Sequence, residues 1–215
     1  MKRKLALYDF DKTVVDCESI VELYKYGFKH KKIRFFGTMA GLVSAYIRSK
    51  LASDFDIMKN QMVSIIKYFS EDELRDFVTD YLFPKFFFVE FENEFYSHDE
   101  DTIKILCSAS ATPYLKYVKN LYPFDYILGT DLGDDYKLTR GNNKKDVKVK
   151  NIKDLLAQEG IEIDYENSCG YSDSYKDDKY MLRMAKNRFL INSKVNKKGY
   201  ENLSWHREES KLDCK

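Results

Sequence analysis

The sequence predicts an α/β fold in which a doubly wound parallel sheet is interrupted by an all-helical insertion. Short apolar runs alternate with helix-like segments at the start of the chain and again after residue 100, and this alternation is typical of parallel sheets. Between the two parts, apolar residues recur at three- and four-residue steps, which indicates helices. The 215 residues, 44% of them hydrophobic, suffice for one domain with an elaboration or for two small ones.

The first predicted strand, residues 5–8 (LALY), ends at two carboxylates, Asp9 and Asp11. Residues two positions apart in a strand share a face, so both side chains point the same way while the extended geometry lasts. Two charges this close repel unless a cation lies between them or one keeps its proton. Mg²⁺ binds carboxylates together with substrate phosphate, and an aspartate can attack phosphorus. The pair therefore indicates phosphate chemistry, with a strand that merely ends in polar residues as the alternative.

Helices are predicted throughout the insertion. Ser19-x-x-Glu22 and Ser70-x-x-Glu73 are capping-box patterns, which mark the first turn of a helix. The helix after Ser70 is expected to end at Pro84, because proline breaks the hydrogen-bond pattern of a helix interior.

One predicted helix of the insertion is unusual in composition. Residues 35–47 contain no charged side chain and are largely apolar, yet they are too few to span a bilayer. Basic residues flank this segment on both sides, among them Arg34, Arg48 and Lys50. We expect a buried helix with charged ends, and peripheral contact of residues 29–50 with an anionic membrane surface is the alternative.

After residue 100 the chain is predicted to form four further strands, at 103–107, 126–129, 168–171 and 189–191. The other predicted elements are helices from Thr112 (before Pro113), over 147–157 and over 180–185, and a hairpin at 130–140. In parallel sheets of this kind, ligands bind beyond the carboxyl ends of the strands. Ser108 and Asp173 each follow a predicted strand, as the first two acids do, so we expect all four side chains to converge at one edge of the sheet.

The composition excludes several classes of protein. Lys and Arg number 36 and Asp and Glu 35, so the net charge of +1 creates no field that attracts nucleic acid. Four cysteines without Cys-x-x-Cys spacing predict no zinc site. The apolar run before Asp9 is too short for the core of a signal peptide. The expected compartment is the reducing cytoplasm, with membrane association as the alternative.

The motifs resemble those of phosphatases of the haloacid dehalogenase superfamily, in the branch that contains phosphoserine phosphatase. Residues 9–13 (DFDKT) are similar to the first motif of that family, Ser108 to the second, and residues 170–177 (GYSDSYKD) to the fourth. The resemblance implies a Rossmann-like doubly wound parallel sheet with an inserted all-helical cap. The implied division is a catalytic core of residues 1–15 and 100–215 and a cap of residues 16–99.

The resemblance also implies roles for the carboxylates. Asp9 would attack phosphorus and form an aspartyl-phosphate, and Asp11 would protonate the leaving alkoxide before it deprotonates the attacking water. Asp9, Asp173 and the backbone carbonyl of Asp11 would hold Mg²⁺. Asp177 would lie close to the metal, and the adjacent Asp178 is the alternative for that place.

By the same resemblance, other residues would bind the phosphoryl group. Ser108, with Ala109 and the neighbouring N–H groups, would bind the phosphoryl oxygens, and Thr13 would orient the loop at the substrate. A lysine that opens a helix, with an aliphatic residue four positions on, would offset the charge of those oxygens. The candidates, with the favoured one first because Ile152 follows it at that distance, are Lys148, Lys145 and Lys150.

The resemblance thus predicts a phosphatase, a Mg²⁺-dependent phosphomonoester hydrolase. Its substrate would be a phosphorylated small molecule or a phospholipid headgroup, and phosphoserine, phosphatidylglycerophosphate and phosphocholine or phosphoethanolamine all stay open. The oligomeric state stays open as well. The alternatives are a catalytically silent phosphate-binding or regulatory module of the same fold and a phosphotransferase whose acceptor is not water.

Overall fold

The computed structural model describes residues 2–207, and eight strands lie within them. The strands are β1 (Lys2–Arg3), β2 (Leu5–Tyr8), β3 (Ile103–Ala111), β4 (Tyr126–Thr130), β5 (Glu162–Ile163), β6 (Cys169–Ser172), β7 (Asn187–Ile191) and β8 (Glu201–Leu203). Six of them form one sheet in the order β4-β3-β2-β6-β7-β8, and all neighbours in it are parallel. The remaining two, β1 and β5, form a separate parallel pair.

The same residues contain nine α-helices, most of them short. They are α1 (Ser19–Lys29), α2 (Phe35–Ala52), α3 (Phe55–Val63), α4 (Glu71–Asp76), α5 (Phe83–Phe86), α6 (Val89–Ser97), α7 (Thr112–Leu115), α8 (Asp146–Gln158) and α9 (Tyr175–Leu182). A π-helical turn joins α4 to α5. The 3₁₀ turns cover Ser64–Tyr68, Lys116–Asn120 and Tyr165–Asn167.

The two faces of the sheet are covered by different helices. Along β2, alternate side chains point to opposite faces: Leu5 and Leu7 pack in a cluster with residues of α8 and α9. Ala6 and Tyr8 join a larger cluster that includes α6 and the insertion. Helices therefore cover both faces of a parallel sheet, and the predicted doubly wound α/β fold is confirmed.

The insertion between β2 and β3 carries α1 to α6, and within the described residues it has no strand longer than an isolated bridge. Its last helix packs on the sheet, because the rings of Phe91 and Phe95 lie 5.4 and 6.1 Å from the ring of Tyr8. Insertion and sheet thus share one hydrophobic core. The predicted cap of residues 16–99 stays a prediction, and residues 208–215 of the predicted core lie outside the described residues.

The two predicted capping boxes have different outcomes. At the start of α4, the Glu73 N–H donates to the Ser70 hydroxyl at 3.2 Å and the Ser70 N–H donates to the Glu73 carboxylate at 2.9 Å, which confirms that box. The Ser19 box is wrong, because Glu18 is the N-cap residue and provides no side-chain bond. The Ser19 hydroxyl lies 2.9 Å from the Tyr114 hydroxyl instead. A buried partner from another element satisfies this hydroxyl, so it does not cap its own helix.

The helix that was expected to end at Pro84 continues through it to Phe86. In a regular α-helix the proline ring collides with the carbonyl four residues earlier, and its missing N–H leaves that carbonyl unpaired. The preceding turn, Phe77–Leu82, is π-helical, so its N–H groups pair with carbonyls five residues back. This local change of hydrogen-bond pattern accommodates Pro84 near the start of α5.

Most elements predicted after residue 100 are present with shifted ends. The helix predicted at 180–185 is α9, which starts earlier because the Ser174 hydroxyl caps it by accepting from the Asp177 N–H at 3.3 Å. The predicted hairpin is reduced to one antiparallel bridge, between Leu132 and Leu138. Strand β8 was not predicted, because its three mostly exposed residues carry no apolar run.

Helix α2 is not the buried helix that the sequence predicts. Only Ala45 and Ser49 are buried in it, whereas Phe36 and Leu51 are 86% and 83% exposed. Exposed apolar residues that lie together mark interaction sites, whereas single scattered ones need no explanation. Within residues 2–207 no helix is long and apolar enough to cross a membrane.

Candidate active site

A cavity of about 300 Å³ lies at the carboxyl ends of the central strands. Asp9 follows β2 directly, Asp173 follows β6, and Ser108 lies in β3 just beyond its ladder with β2. The cavity is lined by Asp9, Asp11, Lys12, Glu18, Ser108, Ala109, Lys144, Lys148, Asp173, Ser174, Asp177 and Asp178. The fold thus brings together every predicted site residue except Thr13.

Lys148 joins two buried carboxylates at the cavity wall. Its Nζ donates to Oδ1 of Asp9 at 2.8 Å and to Oδ1 of Asp178 at 2.6 Å. Burial raises the pKa of Asp9, and the Lys148 ammonium opposes that shift. Burial also acts to lower the pKa of Lys148, but the two carboxylates outweigh it and keep the ammonium charged. The other candidate lysines lie elsewhere, Lys145 at the N-cap of α8 and Lys150 on its exposed side.

The Asp11 carboxylate is held by two donors. The Ser19 N–H donates to its Oδ1 at 2.9 Å, and the Ser110 hydroxyl donates to its Oδ2 at 3.0 Å. Burial raises the pKa of Asp11, and these bonds oppose the shift without cancelling it. A carboxyl group whose pKa is raised is suited to give and take a proton near neutral pH.

The backbone around Ser108 and Ala109 is fixed from three sides. Nδ2 of Asn143 donates to the Ser108 carbonyl at 3.0 Å, and the Thr130 hydroxyl donates to the Ala109 carbonyl at 2.8 Å. The buried Lys59 of α3 donates to the same Ala109 carbonyl at 3.0 Å, and burial lowers the pKa of this lysine. Because these carbonyls already have donors, the segment keeps one orientation at the cavity.

Thr13 lies beneath the cavity rather than in its wall. It is fully buried, and its hydroxyl accepts a hydrogen bond from the Asp173 N–H at 3.0 Å. This bond ties the loop after β6 to the loop after β2. Thr13 therefore positions the loop that carries Asp173, and it does not line the cavity.

Two ion pairs flank the mouth of the cavity. Lys12 pairs with Glu18, and Lys144 pairs with Asp177 at 3.0 Å. Lys12 has a φ of +57°, in the left-handed region that residues other than glycine seldom adopt. Of the two adjacent aspartates, Asp178 is the buried one, and Asp177 lies nearer the solvent.

The cavity carries more negative than positive charge, since six carboxylates and three lysines line it. Burial raises the pKa of Asp173 to about 6, and neighbouring carboxylates add to the shift. Within residues 2–207, no three His, Cys, Asp or Glu side chains lie close enough together to hold a metal on their own. The predicted donors are two carboxylates and one backbone carbonyl, and they fit Mg²⁺, a hard cation that keeps water and phosphate oxygens among its ligands.

Comparison with known proteins identifies the family. The sequence profile of the haloacid dehalogenase-like hydrolases matches residues 6–183. The chain belongs to this family. The match runs from β2 to just beyond α9, so it includes the segments predicted as the first, second and fourth motifs. No curated protein sequence matches the chain.

Solved structures share the fold of this haloacid dehalogenase-like chain. A protein of unknown function from Bordetella pertussis Tohama I gives a TM-score of 0.78 over 94% of this chain and 99% of its own, at 16% identity. A hydrolase of the same family from Salmonella enterica serovar Typhi gives 0.62 over 90% and 63%, at 16% identity. A phospho-aspartyl intermediate analogue of phosphoserine phosphatase gives 0.56 over 90% and 88%, at 20% identity. At these identities the similarity concerns the fold alone.

Three residues that support the site of this family member were not predicted from the sequence. Lys59, Asn143 and Ser110 contact the Ala109 carbonyl, the Ser108 carbonyl and the Asp11 carboxylate. Each reaches its partner from an element that is distant along the chain, so no local pattern identifies them. Of the three, only Lys59 can be recognised in the sequence. It is a charged residue three positions before Met62, among the apolar residues of α3.

Proposed function

We propose that the chain is a Mg²⁺-dependent phosphomonoester hydrolase that acts through an aspartyl-phosphate on Asp9. The observation that carries the proposal is the environment of Asp9 in the cavity. Lys148 holds one of its oxygens, Oδ1, at 2.8 Å, and within residues 2–207 no hydrogen-bond donor occupies the other. That second oxygen is available to attack, beside Asp11, Ser108 and Asp173.

In the first step, Oδ2 of Asp9 forms a bond to phosphorus while the bond from phosphorus to the ester oxygen breaks. Asp11 gives its proton to the departing alkoxide, and its raised pKa supports that role. Lys148 and the N–H groups near Ser108 would offset the charge on the phosphoryl oxygens, which is the main contribution that a protein makes to phosphoryl transfer.

In the second step, water attacks the phosphorus of the aspartyl-phosphate and the bond to Asp9 breaks, which releases phosphate. Asp11, now ionised, takes the proton of that water and returns to its starting state. The bonds from Ser19 and Ser110 keep its carboxylate in place between the two steps.

Asp9, Asp173 and the backbone carbonyl of Asp11 would hold Mg²⁺ in this proposal. The bound ion would supply positive charge to the phosphoryl oxygens and to the crowded carboxylates. The bond from the Asp173 N–H to Thr13 supports this arrangement, because it sets the position of the loop that carries Asp173. The buried Asp178 would act through Lys148, and Asp177 stays the residue predicted to lie near the metal.

Release of inorganic phosphate from p-nitrophenyl phosphate in the presence of Mg²⁺ tests the proposal. We expect turnover by the wild-type protein and none by Asp9→Asn, which keeps the size of the side chain but removes the nucleophilic charge. Asp154→Asn is the matched control, since Asp154 is exposed and, within residues 2–207, pairs with Lys150 alone. Equal rates for wild type and Asp9→Asn would contradict the assignment of the nucleophile.

Two alternatives have distinct outcomes in the same assay. A catalytically silent phosphate-binding module would bind phosphate, but neither the wild type nor any variant would turn over the ester. The cavity contains all the predicted carboxylates, so this alternative is less favoured. A phosphotransferase would release little phosphate until an alcohol acceptor is added and would then form a new ester. Both small-molecule and lipid phosphates are compatible with the cavity itself.

A further inference from the structure

Helix α2 presents an apolar stripe to the outside of the molecule. Residues at steps of three and four share one side of a helix, and four exposed apolar residues of α2 lie on one such side. Phe36, Val43, Ile47 and Leu51 are 86%, 59%, 52% and 83% exposed. The stripe covers four turns, and no described residue of the chain covers it.

The opposite side of α2 is packed, so the orientation of the helix is set. Ala45 and Ser49 are buried there, and Leu42 packs against the main hydrophobic core. Gly41 approaches α3 so closely that a Cβ at this position would lie 3.1 Å from the Gln61 side chain. The helix therefore cannot bury its outer stripe by rotating without losing this packing.

The surroundings of the stripe are strongly basic. Between Glu22 and Asp54 the sequence contains seven Lys and Arg residues and no acidic one, although the whole chain has a net charge of only +1. Within the described residues, Lys32 is the only one of those seven that pairs with a distant acidic residue, and its partner is Glu73. Arg34, beside the start of α2, and Arg48 and Lys50, near its end, are exposed.

We propose that the outer stripe of α2 binds an anionic lipid bilayer. Apolar and aromatic side chains would enter the boundary between headgroups and acyl chains, and the flanking Lys and Arg residues would contact anionic headgroups. A second copy of the chain fits less well. A twofold contact places the same patch on both sides, so the basic flanks of the two copies would face each other.

This surface belongs to the part of the insertion that reaches the cavity. Helix α2 packs on α3, and α3 carries Lys59, whose Nζ contacts the Ala109 carbonyl at the cavity. Docking by α2 would bring the cavity close to the headgroup layer. If the proposed phosphatase activity holds, on which this step rests, the substrate class is a phosphomonoester carried by a membrane lipid.

Vesicle co-sedimentation of the full-length protein tests the binding. The probes are vesicles of phosphatidylcholine alone and of phosphatidylcholine mixed with phosphatidylglycerol. We expect binding to the mixed vesicles only, and we expect Phe36→Asp and Ile47→Asp each to lower the partition coefficient at least tenfold. Val195→Asp is the matched control, since it adds the same charge at an exposed apolar residue far from α2 in the sequence, and it should bind like wild type.

A double variant, Arg48→Gln with Lys50→Gln, tests the contribution of the basic residues that flank the stripe. Each basic side chain near an anionic surface contributes about 1 kcal/mol, so losing both should lower the partition coefficient about thirtyfold. Equal binding to neutral and anionic vesicles, absence of binding, or binding unaffected by both aspartate variants overturns the proposal. So does a concentration-dependent dimer that Phe36→Asp dissociates, because the occupant would then be a second copy.

A paired activity assay separates this inference from the proposed function. We expect Phe36→Asp to hydrolyse soluble p-nitrophenyl phosphate at the wild-type rate and to lose at least tenfold on phosphatidate in mixed vesicles. Wild-type turnover of the soluble ester with none of phosphatidate overturns the lipid substrate. Absence of turnover on both contradicts the proposed phosphatase, while vesicle binding would still stand.

Discussion

Replacing Lys148 by Met removes the positive charge between two buried carboxylates. Methionine is flexible, unbranched and apolar, so the change tests charge more than packing. Nζ of Lys148 lies 2.8 Å from Asp9 and 2.6 Å from Asp178, and its side chain is 2% exposed. Both carboxylates therefore lose a close partner in a place that water scarcely reaches.

The expected loss follows from this geometry. At an effective dielectric constant of about 20, each contact contributes about 6 kcal/mol of attraction, most of which offsets the desolvation of the charges. Removing one partner of a buried pair costs about 3–5 kcal/mol. We expect a loss of about 3 kcal/mol, at the lower end of that range. Burial already raises the pKa of Asp9, so this carboxyl group can take up a proton once the ammonium is gone. Lys150→Met, in the same helix, removes only an exposed pair and should cost less than about 1 kcal/mol.

Urea unfolding followed by circular dichroism, with EDTA present, measures the difference. With an m-value of about 2 kcal/mol/M, the midpoint of Lys148→Met should fall by about 1.5 M. Adding Asp178→Asn to that variant should restore part of the loss, since one uncompensated carboxylate is then gone. Equal midpoints for Lys148→Met and Lys150→Met, or a double variant less stable than Lys148→Met, would refute the reasoning.

Four further outcomes are expected. Saturating Mg²⁺ should raise the free energy of unfolding, by about 2.7 kcal/mol at a hundredfold excess over Kd, and EDTA should reverse the gain in a thermal melt. Lys59→Met should lower kcat/KM for an aryl phosphate about tenfold, because the Ala109 carbonyl loses a charged donor; an unchanged kcat/KM would contradict this role. Ser70→Ala should cost about 1 kcal/mol in thermal unfolding and leave activity unchanged, since it removes only the cap of α4. Burial lowers the pKa of His98 below its ordinary value of 6.5. The unfolded chain therefore binds a proton there that the folded chain does not, and stability should fall as pH drops below about 6.5; His98→Gln should flatten that part of the profile.

Local patterns were sufficient for much of the fold and for the candidate site. Strand β2 has the bounds that its apolar run predicts, and Asp9 and Asp11 stand at its end. The family resemblance favours Lys148, because Ile152 follows it four positions on as in the family's pattern, and its Nζ contacts Asp9. Each of these predictions depends on residues within a few positions of one another, where the geometry of a strand or a helix is known in advance.

Contacts between distant segments could not be predicted in this way. The Ser19-x-x-Glu22 pattern resembles that of Ser70-x-x-Glu73, yet only the second forms a capping box, because Tyr114 lies within hydrogen-bonding distance of the Ser19 hydroxyl in the core. The burial of Asp178 rather than its neighbour Asp177 depends on where α9 lies against α8. The prediction that Asp177 lies near the metal concerns a different property and stays a prediction.

The sequence by itself determined the fold class, the family and the aspartates at the strand ends, since the alternation of apolar runs and the motif spacing are local properties. Only the tertiary structure decided which distant residues hold the site, such as Lys59 at the Ala109 carbonyl, and which side of α2 faces outward. The physical reason is that α2 is apolar around most of its circumference, so its periodicity could not distinguish a buried helix from one with an uncovered face. That distinction depends on the partner that each face meets, and here α3 covers only one of them.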